Sequence, residues 1–250
     1  MSGVGRLWLI GGGNMGGALA RHWRLAGFDP IVIDPAHGTA IPSEGAPDVL
    51  VLAVKPQIWV KATEGLGGRI GAATLVVSVM AGVTLAALAA RFPDARLART
   101  MPNTPAARGR GITGLYMDSS DPASCARLEN LFSPAGATAW LDAEAEFDAV
   151  TAVSGSGPAY FFAMVEALAA GGAAAGLAPD LAARLARATL TGAAALLEDG
   201  EDPAALRAAV TSAGGTTAAG LAVLMPALGP LLRDTVAAAR DRSRDLGRIG

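Results

Sequence analysis

The segment LWLIGGGNMGG, residues 7 to 17, constrains this chain more than any other stretch, because an apolar run leads directly into Gly11, Gly13 and Gly16. In a GxGxxG turn the first glycine permits a tight bend off a strand. The second lets backbone approach a pyrophosphate, and the third lets the next helix lie close on the sheet. The flanks are those the pattern requires: Leu7 to Ile10 read as a buried strand, and Asn14 to Ala26 as a helix with Met15, Leu19, Trp23 and Leu25 on its apolar side. Ile31 to Asp34 follow as a second strand. A helix N-terminus behind such a turn offers unpaired N–H groups and a positive dipole end to an anion. A purely structural glycine turn competes with this reading, since the chain holds 32 glycines, but the strand and helix on either side favour dinucleotide binding.

Up to about residue 142, apolar runs of strand length alternate with helical stretches. Strands are expected at Val4 to Ile10, Ile31 to Asp34, Val49 to Val54, Leu75 to Val79, Ala95 to Arg99, Ile112 to Met117 and Thr138 to Leu141. Helices are expected at Asn14 to Ala26, Gln57 to Ile70, Leu85 to Arg91 and Pro122 to Pro134. This alternation predicts an α/β fold, a Rossmann-like, doubly wound, mostly parallel sheet. One crossover is thin: AHGTAIPSEGAP is too short and too rich in Pro and Gly for a normal helix, so a loop or stub is expected there. From Glu144 onward long alanine-rich helices are broken by SGSGP, GLAPD, EDGEDP, SAGGTT and MPALGP. The expected division is a dinucleotide-binding domain over 1–145 and an all-α domain for dimerisation and substrate over 146–250.

Charge and cysteine usage exclude several function classes. With a net charge of -2 and scattered basic residues, nothing calls for nucleic acid or an anionic membrane. One cysteine, Cys125, and two histidines, His22 and His37, leave neither an internal disulfide nor a Cys/His metal site, so no metal is expected. A reducing cytoplasm and the lack of a signal peptide are the matching expectations. Residues 159 to 178 approach the length of a bilayer span. Glu166 near the middle, the weak lipophilicity of Ala and Gly, and the missing Lys/Arg flanks favour a helix buried in a soluble helical domain. Apolar stripes with so little polar cover also suggest that a second subunit completes the bundle.

Four further clusters carry polar chemistry. In DVLVLAVKPQ, Ala53, Val54, Lys55 and Pro56 end a strand where the nicotinamide half of a dinucleotide would lie; a loop with a solvated lysine explains Lys55 equally well. SVMAG, with Ala81, and RTMPNTP, with Asn103 and Thr104 bracketed by prolines, end consecutive strands and can face the cofactor. SGSGPAYFF opens the helical half. In TSAGGTTAAGL two glycines free backbone N–H groups before a helix starting near Thr217, a nest that suits a carboxylate, although an N-cap with a glycine turn explains the letters too.

In this order and spacing, GGGNMG, AVKPQ, SVMAGVT, RTMPNTP, AVSGSGPAY, SAGGTT and the closing AAARDRSRDLG resemble the pyrroline-5-carboxylate reductase family over nearly the whole chain. The resemblance implies an NAD(P)H-dependent oxidoreductase that reduces 1-pyrroline-5-carboxylate to L-proline, the last step of proline biosynthesis. It further implies a homodimer through the C-terminal helices, with dimers assembling into decamers. Carried over by motif, Gly11, Gly13, Asn14, Met15 and Gly16 bind the cofactor with Ala53, Val54, Lys55, Pro56, Ala81, Asn103 and Thr104. Ser212, Gly214, Gly215 and Thr216 cradle the substrate carboxylate, and Thr217 is the catalytic donor toward the imine nitrogen. A beta-hydroxyacid dehydrogenase fits less well, because its catalytic lysine has no counterpart after Lys61; a non-catalytic dinucleotide-binding paralogue is the other alternative.

Two departures from the family pattern matter. Ala213 stands where the family usually has proline, which removes stiffness from the substrate loop. Asp34 ends the second strand, where an acid accepts from a ribose 2′-OH and repels a 2′-phosphate, and the next arginine nearby in sequence is Arg69. NADH over NADPH is therefore the expected cofactor preference.

Overall fold

A computed structural model describes residues 4–118, 121–198 and 200–247. All seven expected strands form: β1 (Leu7–Ile10), β2 (Ile31–Ile33), β3 (Val49–Leu52), β4 (Leu75–Ser78), β5 (Arg96–Met101), β6 (Gly111–Met117) and β7 (Gly136–Trp140). They make one sheet in the order β2-β1-β3-β4-β5-β6-β7. Neighbours from β2 to β5 run parallel, β6 is antiparallel to β5, and β7 runs parallel to β6. Strand order reverses at β1, which lies between β2 and β3. In such sheets the ligand crevice lies beyond the carboxyl ends of the strands at that reversal.

Alternation along the buried strands builds a core on each face. Leu7, Leu9, Val49, Val51, Leu75 and Val77 point to one side, where Leu19 and Trp23 of α1 (Asn14–Leu25) meet them. Trp8, Ile10, Leu50, Leu52 and Val76 point to the other, covered by Trp59 of α2 (Trp59–Ala62) and by Leu85 and Leu88 of α3 (Leu85–Arg91). Leu128, Leu131 and Phe132 of α4 (Pro122–Phe132) close the first side. There the buried indole of Trp23 donates to the carbonyl of Leu131 at 2.6 Å, which ties α1 to α4 and satisfies a donor that burial would otherwise strand.

The helix expected over Gln57 to Ile70 does not form as one element. In its place stand a 3-10 turn (Pro56–Ile58), the single-turn α2 and a second 3-10 stretch (Glu64–Arg69). Gly67, at φ 57, sits in the left-handed region inside EGLGGR, and three glycines in six residues leave too little helix propensity to hold a continuous ladder. The thin crossover after β2 is a stub, one 3-10 turn at Pro35–His37 followed by loop.

Close contacts divide the chain into two units: residues up to Ser156 together with those from Ala238 on, and Gly157–Ala237. By this division the second unit opens with Gly157, and the residues from Ala238 on group with the first. After β7 follow α5 (Phe147–Val150), a π turn (Thr151–Gly155), α6 (Gly157–Ala174), α7 (Pro179–Leu196), α8 (Pro203–Ala209) and α9 (Thr216–Gly247). Helices α6 and α7 meet through small residues, with Gly172 facing the buried Ala182. Burial of 159 to 178 inside one chain is not observed, since Phe161, Phe162, Met164 and Leu168 are exposed. The reason is that α6 has apolar side chains around its whole circumference, and a single partner helix covers one stripe. Among the described residues α9 is the one helix long and apolar enough to cross a membrane, with a mean hydropathy of 1.3 over its most apolar window. Pro226 and Pro230 lie inside it, and Arg233 and Asp234 follow.

Candidate functional site

The glycine turn is built as its spacing dictates. Gly11 adopts φ 103, its N–H donates to the carbonyl of Ile33 at 2.9 Å, and a Cβ there would come within 2.5 Å of the Ala53 carbonyl oxygen. A Cβ on Gly16 would stand 2.0 Å from the carbonyl oxygen of Gly11, so helix α1 approaches the turn as closely as backbone allows. Gly13 is the N-cap of α1, with no side-chain cap, no acidic residue in the first turn and open space around the position of a Cβ. Asn14 and Met15 begin the helix, and Met15 leans on the core. An uncapped, open N-terminus of a twelve-residue helix with free space before it fits the pyrophosphate of a dinucleotide.

The end of β3 lies beside this turn. Ala53 donates its N–H to the carbonyl of Ile10 at 2.8 Å, which holds Ala53 and Val54 beside Gly11. Lys55 is exposed, and Pro56 opens the following 3-10 turn. Ala81, after β4, is half-buried beside Gly82.

At the tip of β2, Asp34 is folded into the glycine turn. Its Oδ2 accepts from the N–H of Gly12 at 2.8 Å and lies 3.0 Å from Nδ1 of His37. The stub after β2 is knitted onto the same residue, since the Asp34 carbonyl accepts from the N–H groups of His37 at 2.9 Å and Thr39 at 3.1 Å. Arg69, the arginine noted from sequence, is committed elsewhere. Its guanidinium donates to the carbonyls of Pro42, Gly65 and Leu66 and stacks over the ring of Trp8 at 5.4 Å.

Asn103 is buried, and its amide is spent within the protein: Nδ2 donates to the carbonyl of Ser154 at 3.2 Å, and Oδ1 accepts from the N–H of Ile112 at 3.0 Å. It fastens the proline-bracketed turn after β5 to the π turn that carries SGSG. Thr104 beside it is exposed. One carboxylate not singled out from sequence organises the neighbouring region. Glu144 Oε1 accepts from Arg99 Nη1 at 2.7 Å and from the N–H of Leu85 at 2.7 Å, while the Arg99 guanidinium lies 4.5 Å from the centre of the Phe147 ring. An acid 45 residues from its arginine leaves no local pattern to read. His37 does have a local signal, because it stands three residues beyond Asp34 in a Pro-opened turn.

The substrate loop lies in the helical unit. Gly214 has φ 71, Gly215 donates its N–H to the carbonyl of Ser212 at 3.1 Å, and α9 begins at Thr216. Ser212, Thr216 and Thr217 are exposed. The expected carboxylate-binding residues therefore share one short turn at a helix N-terminus. The expected cofactor residues Gly11 to Gly16, Asp34, Ala53 and Val54 share the end of β1 in the other unit.

Comparison with known proteins gives a consistent result. The family described as pyrroline-5-carboxylate reductase dimerisation matches residues 144–246. The pyrroline-5-carboxylate reductase of Synechocystis is 43% identical over 204 residues, covering 80% of this chain and 76% of that protein. That of Pseudomonas aeruginosa is 44% identical over 177 residues, covering 70% and 65%. Among solved structures, a pyrroline-5-carboxylate reductase from Coxiella burnetii superposes with a TM-score of 0.88 at 30% identity, covering 97% of this chain and 98% of that one. A pyrroline carboxylate reductase from Plasmodium falciparum, solved with NADP bound, gives a TM-score of 0.80 at 25% identity over 97% and 98%. With a superposable fold and relatives of this identity across most of its length, the chain belongs to the pyrroline-5-carboxylate reductase family.

Proposed function

We propose that this chain reduces 1-pyrroline-5-carboxylate to L-proline at the expense of NAD(P)H, with NADH preferred. The observation that carries the reading is the uncapped N-terminus of α1 facing open space behind Gly11 and Gly16, in a chain of this family. When bound, the reduced nicotinamide supplies a hydride to the imine carbon, and the ring nitrogen ends protonated. The protein's own tasks are binding and orientation. Gly13, Asn14, Met15 and Gly16 present N–H groups to the pyrophosphate; Asp34 accepts from the adenosine ribose; Ala53, Val54, Lys55, Pro56 and Ala81 line the nicotinamide side. Thr104 and the backbone around Asn103 border the same region, with the Asn103 side chain acting as a brace.

In the helical unit, the N–H groups of Gly214 and Thr216 hold the carboxylate together with the Ser212 hydroxyl, while Gly215 closes the cradle by donating its own N–H to the Ser212 carbonyl. Thr217 donates toward the imine nitrogen. An imine is basic enough to arrive protonated, so the proposed site has only to orient the two reactants. The NADH preference rests on Asp34 and on the commitment of Arg69 to three backbone carbonyls, which withdraws that cation from a 2′-phosphate. The same reading makes the first unit the dinucleotide-binding part and the helical unit the part that dimerises, with dimers able to assemble further, in the cytoplasm.

The test is NADH oxidation followed spectrophotometrically with 1-pyrroline-5-carboxylate, and Michaelis constants measured for both nucleotides. Turnover to proline with a lower Michaelis constant for NADH is expected. No turnover with either nucleotide removes the enzymatic reading, and a clear NADPH advantage removes the role given to Asp34.

A further inference from the structure

We propose that His37 is a specificity-determining residue: it sets how strongly this chain discriminates between dinucleotides with and without a 2′-phosphate, and protonation of its ring opens the site to the phosphate. The inference rests on the dinucleotide reading above. His37 Nδ1 lies 3.0 Å from Asp34 Oδ2, the oxygen that also accepts from Gly12, while the imidazole itself remains 71% exposed. The bond from the His37 N–H to the Asp34 carbonyl closes the 3-10 turn and keeps His37 beside the carboxylate to which the dinucleotide reading assigns the adenosine ribose.

Histidine is the side chain whose ordinary charge change falls between pH 5 and 8. With a neutral ring the Asp34 and His37 pair carries one negative charge, which accepts from a 2′-OH and repels a phosphate. A protonated ring makes the pair neutral and adds a second N–H donor at its exposed edge, which a phosphate oxygen can take. Asp34, from the end of β2, is the group the ring touches, and Asp34 in turn is bonded to the Gly12 N–H of the β1 to α1 turn and, through its backbone, to the Thr39 hydroxyl of the loop beyond. Arg69 is held by its carbonyls and Trp8. One added charge at contact range in an exposed site shifts affinity for the phosphate by about fivefold to tenfold.

The chain has two histidines, which makes the test direct. Binding of NADP+ and NAD+ is measured by calorimetry at about pH 6 and about pH 8 for the natural chain and for His37→Gln, an exposed substitution that leaves the fold intact. Proton NMR follows the titration of both imidazoles, assigned with the same variant. The ratio of the Kd for NADP+ to that for NAD+ is expected to fall about fivefold on acidification in the natural chain, relative to its change in His37→Gln. Ionisation of the 2′-phosphate itself, near pH 6, acts equally on both proteins and cancels in that comparison. NADP+ is also expected to move the His37 titration midpoint upward where NAD+ does not. Equal pH responses in the two proteins, or a midpoint indifferent to the 2′-phosphate, overturn the proposal. If neither dinucleotide binds at either pH, the dinucleotide reading fails, and this inference with it.

Discussion

At the scale of single residues, the tightest constraint is Gly16, whose Cα hydrogen points at the carbonyl of Gly11. Gly16→Ala places a methyl 2.0 Å from that backbone oxygen, so α1 must move away from the turn. A loss of about 1–3 kcal/mol in stability is expected from overpacking of this kind, read as a lower Tm. NADH affinity should also fall because the helix N-terminus withdraws from the pyrophosphate; unchanged calorimetric affinity would contradict the proposed cradle. Thr217, at the exposed start of α9, tests the substrate end. Thr217→Ala is expected to lower kcat about a hundredfold, the scale of one lost transition-state donor, with the Kd of NADH unchanged. Full turnover in that variant would reduce Thr217 to a helix-start residue.

At the scale of elements, α3 and α4 of the first unit are each opened by a side-chain cap, Thr84 and Asp121. Asp121 is the N-cap of α4, accepting from the N–H groups of Ala123 and Ser124, and the Ser124 hydroxyl donates to it at 2.6 Å. The Ser124 hydroxyl above all, then the backbone N–H groups and Arg96, hold its carboxyl below the usual carboxylate value of 3.8. A carboxyl depressed on folding stabilises the protein above its unfolded pKa, and that stabilisation is lost as pH falls through the folded value. Asp121→Ala is therefore expected to have a lower Tm at about pH 6, and the difference from the natural chain should shrink as pH falls through the folded value of the Asp121 carboxyl. A constant Tm gap across that range would mean that the cap acts through something other than its charge. The crossover from residue 56 to 70 shows the opposite case. There no cap and three glycines leave short turns, and tertiary partners such as the Arg69 and Trp8 stack hold the segment in place.

At the scale of the whole molecule, the helical unit leaves large apolar side chains in water, among them Phe161, Phe162, Leu168, Val223 and Leu231. Side chains of this kind are what the proposed dimer would cover, and the dimerisation family matches residues 144–246. Light scattering at micromolar concentration is expected to give a dimer or a multiple of it. The double variant Phe162→Asp with Leu231→Asp is expected to shift the population to monomer, since each introduced carboxylate would be buried unpaired. A natural chain that runs as a monomer would leave α6 and α9 without an explanation in these terms. The Arg233 and Asp234 pair inside α9 argues for protein rather than lipid as the cover.

The sequence by itself determined what local pattern encodes. Alternating apolar residues located all seven strands, the spacing of Gly11, Gly13 and Gly16 located the tight turn between β1 and α1, and the poverty of AHGTAIPSEGAP announced a missing helix. Periodicity and glycine spacing report on neighbours a few residues away, and these features need no more. Tertiary structure alone decided the rest. It spent the Asn103 amide on Ser154 and Ile112, paired Arg99 with Glu144, diverted Arg69 to backbone carbonyls, and brought residues 243 and 244 back onto Asp148. Each of those bonds joins positions separated along the chain, and a hydrogen-bonding side chain carries no mark in sequence of which distant partner will satisfy it. Whether a polar residue meets a ligand or braces the scaffold is therefore fixed by packing, because burial obliges each donor and acceptor to take the partner that the fold brings within reach.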